Sequence, residues 1–269
     1  MNLFNLTNKV AIVTGATGLI GRNHCKALAD AGAHVVVADL NIERCTEAML
    51  ALPHHERHTA IQFDITNEEE IKHARTSILA KYGKIDILVN NAAINDMLEN
   101  PLLACEQSMF ENYPVKMFRQ SLEANVTGTF LCCQIFGTEM ARAGSGSIIN
   151  IASTYGIVGP DQSIYKDRDG NQMFYKSAAY PATKGAVINF TRFLAAYWGK
   201  NGVRVNTLSP GGVENSQDDF FVQNYSAKTP LNRMAQPTDY MGAIVFLASE
   251  ASSYMTGANL VVDGGWTAI

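Results

Sequence analysis

The chain of 269 residues has no apolar run that reaches the ~18 residues of a membrane span. Residues 1–9 lack the basic region followed by an apolar region that marks a secretory signal peptide. There is also no basic block and no interleaving of basic and aromatic residues, and the net charge is -4. We therefore expect a cytoplasmic protein whose partners include neither a membrane nor a nucleic acid.

Cysteine is scarce and scattered, with five residues in the whole chain. An odd number of dispersed cysteines does not suit a disulfide framework and favours a reducing compartment. Cys132 and Cys133 are adjacent within an apolar run, which is typical of buried thiols. His54, His55 and His58 cluster in the connection before the third predicted strand, away from the expected site, so no metal site is predicted.

Short runs of β-branched and apolar residues alternate with helical stretches, and 47% of the residues are hydrophobic. Continuous apolar strands separated by helices predict a parallel sheet that is covered on both faces. No linker, repeat or low-complexity segment interrupts this pattern, so we expect one domain over residues 1–269. The strands are predicted at residues 10–13, 34–38, 61–63, 85–89, 147–151, 203–207 and 259–262.

The first strand runs into a glycine-rich turn, Thr14-Gly15-Ala16-Thr17-Gly18-Leu19-Ile20-Gly21. A helix is predicted from about residue 19 to residue 31. Glycines let the backbone turn tightly and approach a pyrophosphate closely, and the helix N-terminus offers free N–H groups. Because the turn follows a strand, opens a helix and precedes a second strand, it indicates a dinucleotide site rather than a plain strand–helix connection.

Asp39 ends the second predicted strand of this unit. A carboxylate there can accept hydrogen bonds from an adenosine ribose 2′-hydroxyl and repels a 2′-phosphate. Arg22 could attract a phosphate, but an exposed place in the first helical turn is its more ordinary role. We therefore predict NAD as the cofactor, with NADP the less favoured one.

Tyr180 and Lys184 stand four residues apart at the start of an apolar, helix-like stretch. In a helix this spacing puts both side chains on one face. A free phenol has a pKa of about 10, and a lysine ammonium beside it favours the phenolate and lowers that pKa. The pair can act as a tuned proton donor and acceptor, although the same spacing also occurs on solvated helices that have no chemistry.

Further short motifs stand in a fixed order along the chain. They are Asp64 after the third strand, Asn90-Asn91-Ala92-Ala93 after the fourth, Asn125 before Val126-Thr127-Gly128, Ser153 in Asn150-Ile151-Ala152-Ser153, Ser209-Pro210-Gly211-Gly212 and Val262-Asp263-Gly264-Gly265. Together with the glycine turn and the tyrosine–lysine pair, they resemble the short-chain dehydrogenase/reductase family, in its short single-domain branch, from about residue 6 onward. The resemblance implies an α/β fold with a Rossmann-type, doubly wound sheet of seven parallel strands and helices on both faces.

The resemblance also implies roles for individual residues. Tyr180 would be the catalytic acid or base, and Lys184 would lower its pKa and hold the nicotinamide ribose. Ser153 would hydrogen-bond the substrate oxygen, and Asn125 would hold a water that links Lys184 to solvent. The expected cofactor contacts are Gly15, Thr17, Gly18, Leu19, Ile20, Gly21, Asp39, Leu40, Asp64, Ile65, Asn91, Ala92, Ala93, Tyr180, Lys184, Pro210, Gly211 and Val213.

Three positions depart from the family pattern. The second glycine stands at Gly18 instead of at Leu19, a spacing associated with a longer, two-domain branch that includes epimerases and dehydratases. The chain has no room for a second domain, so we retain the short branch. Asn215 stands where a threonine often contacts the nicotinamide carboxamide, and Ala93 replaces the more usual glycine.

Two segments are longer than in the family. An insertion over about residues 157–177 precedes the catalytic tyrosine, and the stretch 91–125 is extended through Asn100-Pro101. Long loops beside a catalytic group often shape substrate access. The two segments bring polar side chains, which favour a polar, anionic substrate: Asn95, Gln162, Lys166, Arg168 and Lys176. A solvated loop or a subunit contact is an equally good interpretation.

The sequence thus predicts an NAD-dependent oxidoreductase that interconverts a secondary alcohol and a ketone by hydride transfer. The expected substrate is a polar, polyhydroxylated small molecule such as a sugar, a sugar acid or an activated sugar. The family position of residues 212–233 implies a substrate lid, and family members commonly form homotetramers through the helices carrying Asn125 and Tyr180. Three alternatives remain open: a 3-oxoacyl-thioester reductase, a dinucleotide-binding protein without turnover, and an isomerase or dehydratase with bound NAD.

Overall fold

The computed structural model describes residues 2–95 and 104–269. The strands are β1 (Val10–Thr14), β2 (His34–Asp39), β3 (Thr59–Gln62), β4 (Ile87–Asn90), β5 (Gly146–Ile151), β6 (Val203–Pro210) and β7 (Asn259–Val262). They form one parallel sheet in the order β3-β2-β1-β4-β5-β6-β7, which confirms the predicted fold class. The predicted extension through Asn100-Pro101 lies outside the described residues.

Helices lie on both faces of this sheet. Those in the described residues are α1 (Gly21–Asp30), α2 (Ile42–Leu50), α3 (Glu68–Tyr82), α4 (Ala104–Ser108), α5 (Val115–Leu122), α6 (Gly128–Ala143), α7 (Ala179–Trp198), α8 (Asp219–Ala227) and α9 (Met241–Ala248). Helices α1, α2 and α9 bury their apolar sides on one face, and α3, α6 and α7 bury theirs on the other.

The apolar strands explain why both faces are covered. Successive side chains of a strand point to opposite faces, so Ala11 and Val13 enter the core under α1 and α9, while Val10 and Ile12 enter the core under α3 and α6. All four are fully or almost fully buried. A strand that is apolar at every position is therefore stable only with helices on both sides.

Local signals fix several boundaries. The Asn67 side chain accepts hydrogen bonds from the Glu69 and Glu70 amides at 3.1 and 3.3 Å, so α3 begins directly after it. Helix α1 begins at Gly21 rather than at residue 19, because the two preceding residues belong to the glycine turn. Strand β6 continues beyond the predicted residue 207 to Pro210, because β7 pairs with it there.

The order of the strands creates a crevice. Strand β1 pairs with β2 on one side and with β4 on the other, so the direction of chain progression reverses at β1. The loops that follow β1 and β4 diverge at this switch point and leave an opening at the carboxyl ends of the strands. The candidate site lies in this opening.

The histidine cluster has a structural use. The Val35 amide donates to His58 Nδ1 at 3.0 Å, and His58 Nε2 lies 3.0 Å from the Pro53 carbonyl. His58 therefore joins β2 to the turn that precedes β3.

The described residues contain no group of three or more histidine, cysteine or acidic side chains placed to hold a metal. All five cysteines are free, and Cys132 and Cys133 are buried. Within residues 2–95 and 104–269, no helix has both the length and the apolarity to cross a membrane.

Candidate active site

A cleft of about 660 Å³ opens at the carboxyl ends of β1, β2, β4, β5 and β6. Its floor is formed by the loops that follow these strands, and its far wall comes from the insertion and from the segment around α8. The cofactor contacts expected from the family lie on the cleft wall, except at Asn215, and Ser153 lies on it as well. Asn125 is not one of the residues that line the cleft.

The glycine turn is packed too closely for side chains. Gly15 has a positive φ of 60°, and a β-carbon there would lie 2.7 Å from Ala92 Cα. A β-carbon at Gly21 would lie 2.2 Å from the Gly15 carbonyl oxygen. Only glycine permits this geometry, which leaves bare backbone and the first N–H groups of α1 facing the cleft.

Thr14 and Asn91 join the two strand ends that border the crevice. The Asn91 side-chain amide donates to the Thr14 and Gly15 carbonyls at 3.0 and 2.9 Å. The Asn91 and Ala92 amides donate to Thr14 Oγ1, each at 3.1 Å. The glycine turn is therefore held against the end of β4 by side-chain hydrogen bonds as well as by the sheet.

Asp39 stands at the cleft end of β2. One carboxylate oxygen accepts from the Thr17 amide and hydroxyl at 3.0 and 2.7 Å, and the other accepts from the Leu40 amide at 2.8 Å. Arg22 Nε donates to the Thr17 carbonyl at 2.9 Å. Arg44, in the first turn of α2, also lines this end of the cleft, so a carboxylate and a guanidinium share it.

Three polar side chains meet at the other end of the cleft. Ser153 follows β5, and its Oγ accepts a hydrogen bond from the Tyr155 amide at 3.1 Å. Tyr180 lies in the first turn of α7, with Lys184 one turn later on the same side. Lys184 Nζ donates to the Ile151 carbonyl at 2.9 Å and lies 5.6 Å from the centroid of the Tyr180 ring. Burial lowers the pKa of Lys184 from 10.5 to about 8.

Asn125 lies behind this group, in a π-helical turn between α5 and α6. Its Oδ1 accepts from the Ile94 amide at 2.8 Å, and its Nδ2 donates to the Ile94 carbonyl at 3.0 Å and to Thr183 Oγ1 at 3.1 Å. Such single π turns often mark functional sites. In this structure, the amide clamps the loop after β4 to the helix that carries the tyrosine and the lysine.

An aromatic wall that the sequence did not predict faces the tyrosine. Tyr155 and Tyr165 hydroxyls lie 3.0 Å apart, and burial raises the pKa of Tyr165 to about 12, so its hydroxyl stays neutral. The Tyr165 and Phe221 rings stack at a centroid distance of 5.6 Å. Tyr225 and Met234 complete the part of this wall that lines the cleft. The only sequence signal was the density of aromatic residues in the insertion and around α8.

The insertion reaches the cleft through only some of the polar side chains that the sequence suggested. Lys166 and Arg168 do not line it, and the Arg168 guanidinium lies 5.8 Å over the Phe220 ring. Asp161 forms an ion pair with Lys228, which lowers the pKa of Asp161 to about 2 and joins the insertion to the end of α8. The cation that the insertion brings to the cleft is Lys176.

Asn215 likewise lies outside the set of residues that line the cleft. Gln217 lines it instead, and its side-chain amide donates to the Val213 carbonyl at 2.9 Å. The side-chain amide that lines the cleft in this segment therefore lies two residues after the position that the family pattern implies.

Comparison with known proteins agrees with this geometry. A family model described as enoyl-(acyl carrier protein) reductase matches residues 15–267. The D-threitol dehydrogenase of Mycolicibacterium smegmatis is 35% identical over 271 residues, which cover 98% of this chain and 95% of that protein.

Solved structures similar to this one are also those of dehydrogenases. A gluconate 5-dehydrogenase from Burkholderia cenocepacia in complex with NADP and tartrate superposes with a TM-score of 0.86 at 30% identity and covers 100% of this chain and 98% of its own. A short-chain dehydrogenase from Leptospira borgpetersenii with bound NAD+ superposes with a TM-score of 0.84 at 34% identity, covering 99% and 96%. The chain thus belongs to the short-chain dehydrogenase/reductase family and is an oxidoreductase that acts on CH–OH groups.

Proposed function

We propose that the chain is an NAD-dependent oxidoreductase that interconverts a secondary alcohol and a ketone on a polar, polyhydroxylated substrate. The observation that carries the proposal is the convergence of Ser153, Tyr180 and Lys184 in the same cleft as the glycine turn. A proton donor or acceptor and a dinucleotide-sized groove are the two requirements of this reaction.

The groove fits a dinucleotide. Glycine at positions 15 and 21 lets the turn pack against neighbouring backbone, and the turn and the start of α1 then present backbone amides to which a pyrophosphate would bind. Asp64, Ile65 and the residues after β4 would line the adenine side and the middle of the groove, and Pro210, Gly211 and Val213 the nicotinamide side. The bound cofactor would accept or donate the hydride.

Side chains of the protein would transfer the proton. The Tyr180 hydroxyl would take the proton of the substrate hydroxyl during oxidation and return it during reduction. The Lys184 ammonium, buried beside the ring, stabilises the ionised phenol by its charge. Because Ser153 Oγ already accepts from the Tyr155 amide, its hydroxyl hydrogen is available to the substrate oxygen.

In this proposal, Asn125 would hold neighbouring groups of the site in place. It holds the backbone of Ile94 and the hydroxyl of Thr183, the neighbour of Lys184. The role inferred from the family, a water relay from Lys184 to solvent, requires a water beside this amide, and we retain it as part of the proposal.

Asp39 supports the choice of NAD. Its carboxylate can accept from a ribose 2′-hydroxyl and repels a 2′-phosphate. Arg44, at the same end of the cleft, attracts a phosphate and would limit this preference. Among the relatives, one structure was solved with NADP and another with NAD+, so membership of the family does not by itself fix the cofactor.

The relatives support a polyol or a sugar acid as substrate. One is named for threitol and another for gluconate. The insertion over residues 157–177 and the segment 212–233 would cover this substrate, and the ion pair between Asp161 and Lys228 would couple their movements. The five free cysteines fit a reducing compartment, and we propose the cytoplasm.

We also propose a homotetramer that packs through α6 and α7. Phe130 on α6 is exposed, and on α7 the exposed rings of Phe193 and Tyr197 stack at 5.9 Å. Phe190 links the two helices, with centroids 6.0 Å from Phe130 and 6.4 Å from Phe193. An exposed aromatic strip of this kind is typical of a protein–protein contact.

The direct test is to titrate the protein with NAD+ and NADP+ and then to screen polyols, sugar acids, nucleotide sugars and 3-oxoacyl thioesters at the absorbance of reduced nicotinamide. We expect tighter binding of NAD+ and reduction of NAD+ by at least one polyol or sugar acid. The Tyr180→Phe variant should bind the cofactor equally well and lose activity by about 10²-fold or more. Binding without turnover of any alcohol would refute the proposal, and preferred reduction of thioesters with NADPH would favour the reductase alternative.

A further inference from the structure

Two tyrosine hydroxyls meet in the wall of the cleft that faces Tyr180. The hydroxyl oxygens of Tyr155 and Tyr165 lie 3.0 Å apart, and both residues line the cleft. Tyr155 stands two residues after Ser153 in the turn that follows β5, whereas Tyr165 belongs to the insertion. Tyr180 packs against the cluster that contains both rings. The pair therefore lies beside the serine and the tyrosine of the candidate active site.

This pair has one hydrogen that the protein does not use. Each hydroxyl supplies one hydrogen, and the hydrogen bond between Tyr155 and Tyr165 takes up one of the two. Among residues 2–95 and 104–269, neither hydroxyl has a second hydrogen-bond partner. Whichever tyrosine donates, the other keeps a hydrogen and has no acceptor for it in this part of the protein. A ligand in the cleft can supply that acceptor.

The two rings are held in place by burial and by other aromatic side chains. Tyr165 stacks with Phe221 at a centroid distance of 5.6 Å and lies 4.9 Å from the Phe174 ring. Tyr155 and Tyr165 are 8% and 7% exposed. Burial raises the pKa of both phenols, that of Tyr165 to about 12. Both hydroxyls therefore stay protonated near neutral pH, and the pair keeps its free hydrogen.

We infer that the hydroxyls of Tyr155 and Tyr165 together bind a second oxygen of the substrate, on a carbon next to the one that is oxidised. This inference rests on the proposed oxidoreductase function and assigns part of its selectivity to two residues. One hydroxyl of the pair donates to the substrate oxygen, and a lone pair of the other accepts from it when that oxygen belongs to a hydroxyl group. An alkyl group in the same place leaves the buried donor unpaired, so the cleft selects against it.

A purely structural role would use the same hydrogen bond only to join the insertion to the turn after β5. The two roles differ in how single and double variants compare. Either Tyr155→Phe or Tyr165→Phe breaks a structural bond completely, so the double variant should differ little from a single one. A pair that binds substrate keeps one hydroxyl in each single variant and loses both only in the double variant. Its selectivity should therefore fall in two steps.

The binding test uses butane-2,3-diol and 3-methylbutan-2-ol, which differ by a hydroxyl or a methyl group next to the carbinol. Both are titrated by NMR into the enzyme saturated with NADH, which prevents oxidation. We expect the wild-type protein to bind the diol at least about 10-fold more tightly, each single variant to keep part of this ratio, and the double variant to lose it. Equal affinities in the wild-type protein, no measurable binding of the diol, or a ratio that survives in the double variant would overturn the inference.

Tyr82→Phe is the matched control. The Tyr82 hydroxyl also pairs with another hydroxyl, that of Thr59 at 2.6 Å, and neither residue lines the cleft. This variant loses a hydrogen bond of the same kind and should keep the wild-type ratio.

Turnover with NAD+ gives a second measurement. The diol should exceed the methyl analogue in kcat/KM by at least about 10-fold, and this advantage should fall in two steps across the variants. The pH profile of kcat should not move, because Tyr180 and Lys184 are unchanged. Oxidation of both alcohols at equal rates, or complete loss of the advantage in both single variants, would overturn the inference and leave the proposed function standing. If no alcohol is oxidised at all, the proposed function fails, and the binding ratio still decides whether the pair recognises a hydroxyl group.

Discussion

Lys184 lies one helical turn after Tyr180, with its Nζ 5.6 Å from the centroid of the phenol ring, and its hydrogen bond goes to the Ile151 carbonyl at the end of β5. The end of a central strand therefore fixes the position of the ammonium beneath the tyrosine. Burial of this charge carries a cost in stability, which the protein bears at a site that the proposed function requires.

Lys184→Met should stabilise the protein without cofactor and abolish its activity. The folded-state pKa of Lys184, about 8, is below its ordinary value of 10.5, so folding at pH 7 must bury a charge that the unfolded chain solvates. The cost is about 3 kcal/mol from this shift, partly offset by the hydrogen bond. Chemical denaturation at pH 7 should show a gain of about 1–3 kcal/mol in the free energy of unfolding.

The pH dependence of the stability difference between Lys184→Met and the wild-type protein tests this explanation. A base with a lowered folded pKa costs most stability below that pKa, and the cost disappears as the pH rises from about 8 to 10.5. The advantage of Lys184→Met should therefore shrink between pH 7 and pH 9.5. Lys200→Met, at an exposed position just after α7, is the control and should show no such trend. A variant less stable than wild type at pH 7 would contradict this account.

Asp39→Asn should shift cofactor preference toward NADP. The amide can still accept from Thr17, but the negative charge that repels a 2′-phosphate is removed, and Arg44 remains at the same end of the cleft. We expect the ratio of NADP+ to NAD+ affinity to rise by about 10-fold or more. Fluorescence titration measures both affinities. Asp64→Asn removes a second carboxylate from the cleft wall and should leave the ratio unchanged; an unchanged ratio in Asp39→Asn itself would refute the assignment.

His24 should make the protein lose stability in mild acid. It lies on α1, fully buried, and neither ring nitrogen has a hydrogen-bond partner among the described residues. Burial lowers its pKa from 6.5 to about 3, so the imidazole is neutral in the folded state and binds a proton on unfolding. Titration of His24 therefore leaves the free energy of unfolding unchanged above pH 6.5 and lowers it as the pH falls from 6.5 toward 3.

The matched variant is His24→Leu, which keeps the volume and removes the titration. Between pH 7.5 and pH 5, the wild-type free energy of unfolding should fall by about 2 kcal/mol more than that of the variant. Denaturation curves at the two pH values measure the difference. Parallel losses in both proteins would show that His24 is not the titrating group.

Phe193→Asp should break the proposed tetramer. The ring is 61% exposed and stacks with Tyr197, so a carboxylate there would place a charge in the middle of the aromatic strip. We expect a lower molar mass by light scattering, with the cleft and its cofactor affinity retained. Leu50→Asp, an exposed apolar residue on α2, should keep the wild-type mass. A wild-type protein that is itself monomeric would rule out the tetramer.

The local features of the fold followed from the sequence. Continuous apolar strands required helices on both faces, and the context of Gly15 and Gly21 identified the turn. Each of these rests on interactions between residues close in sequence or on the steric needs of one residue. Strand ends were less accurate: β3 begins at Thr59 rather than at residue 61, because its pairing with β2 sets the register.

The residues on the substrate side of the cleft were predicted poorly, because their positions depend on contacts between residues far apart in sequence. Tyr165, Lys176 and Phe221 line the same cleft because the insertion packs against α7 and α8, and no local periodicity encodes that path. The same applies to Lys166 and Arg168, whose charges suggested a substrate contact although both lie away from the cleft wall.

The sequence by itself determined the sheet, the glycine turn and the spacing that puts Tyr180 and Lys184 on one helix face, because short-range sterics and periodicity are sufficient for each. Only the tertiary structure decided that Asn125 clamps Ile94 behind the cleft and that Lys176, rather than Lys166, stands beside the tyrosine. These positions depend on contacts between segments far apart in the chain, which form only when the whole core has packed.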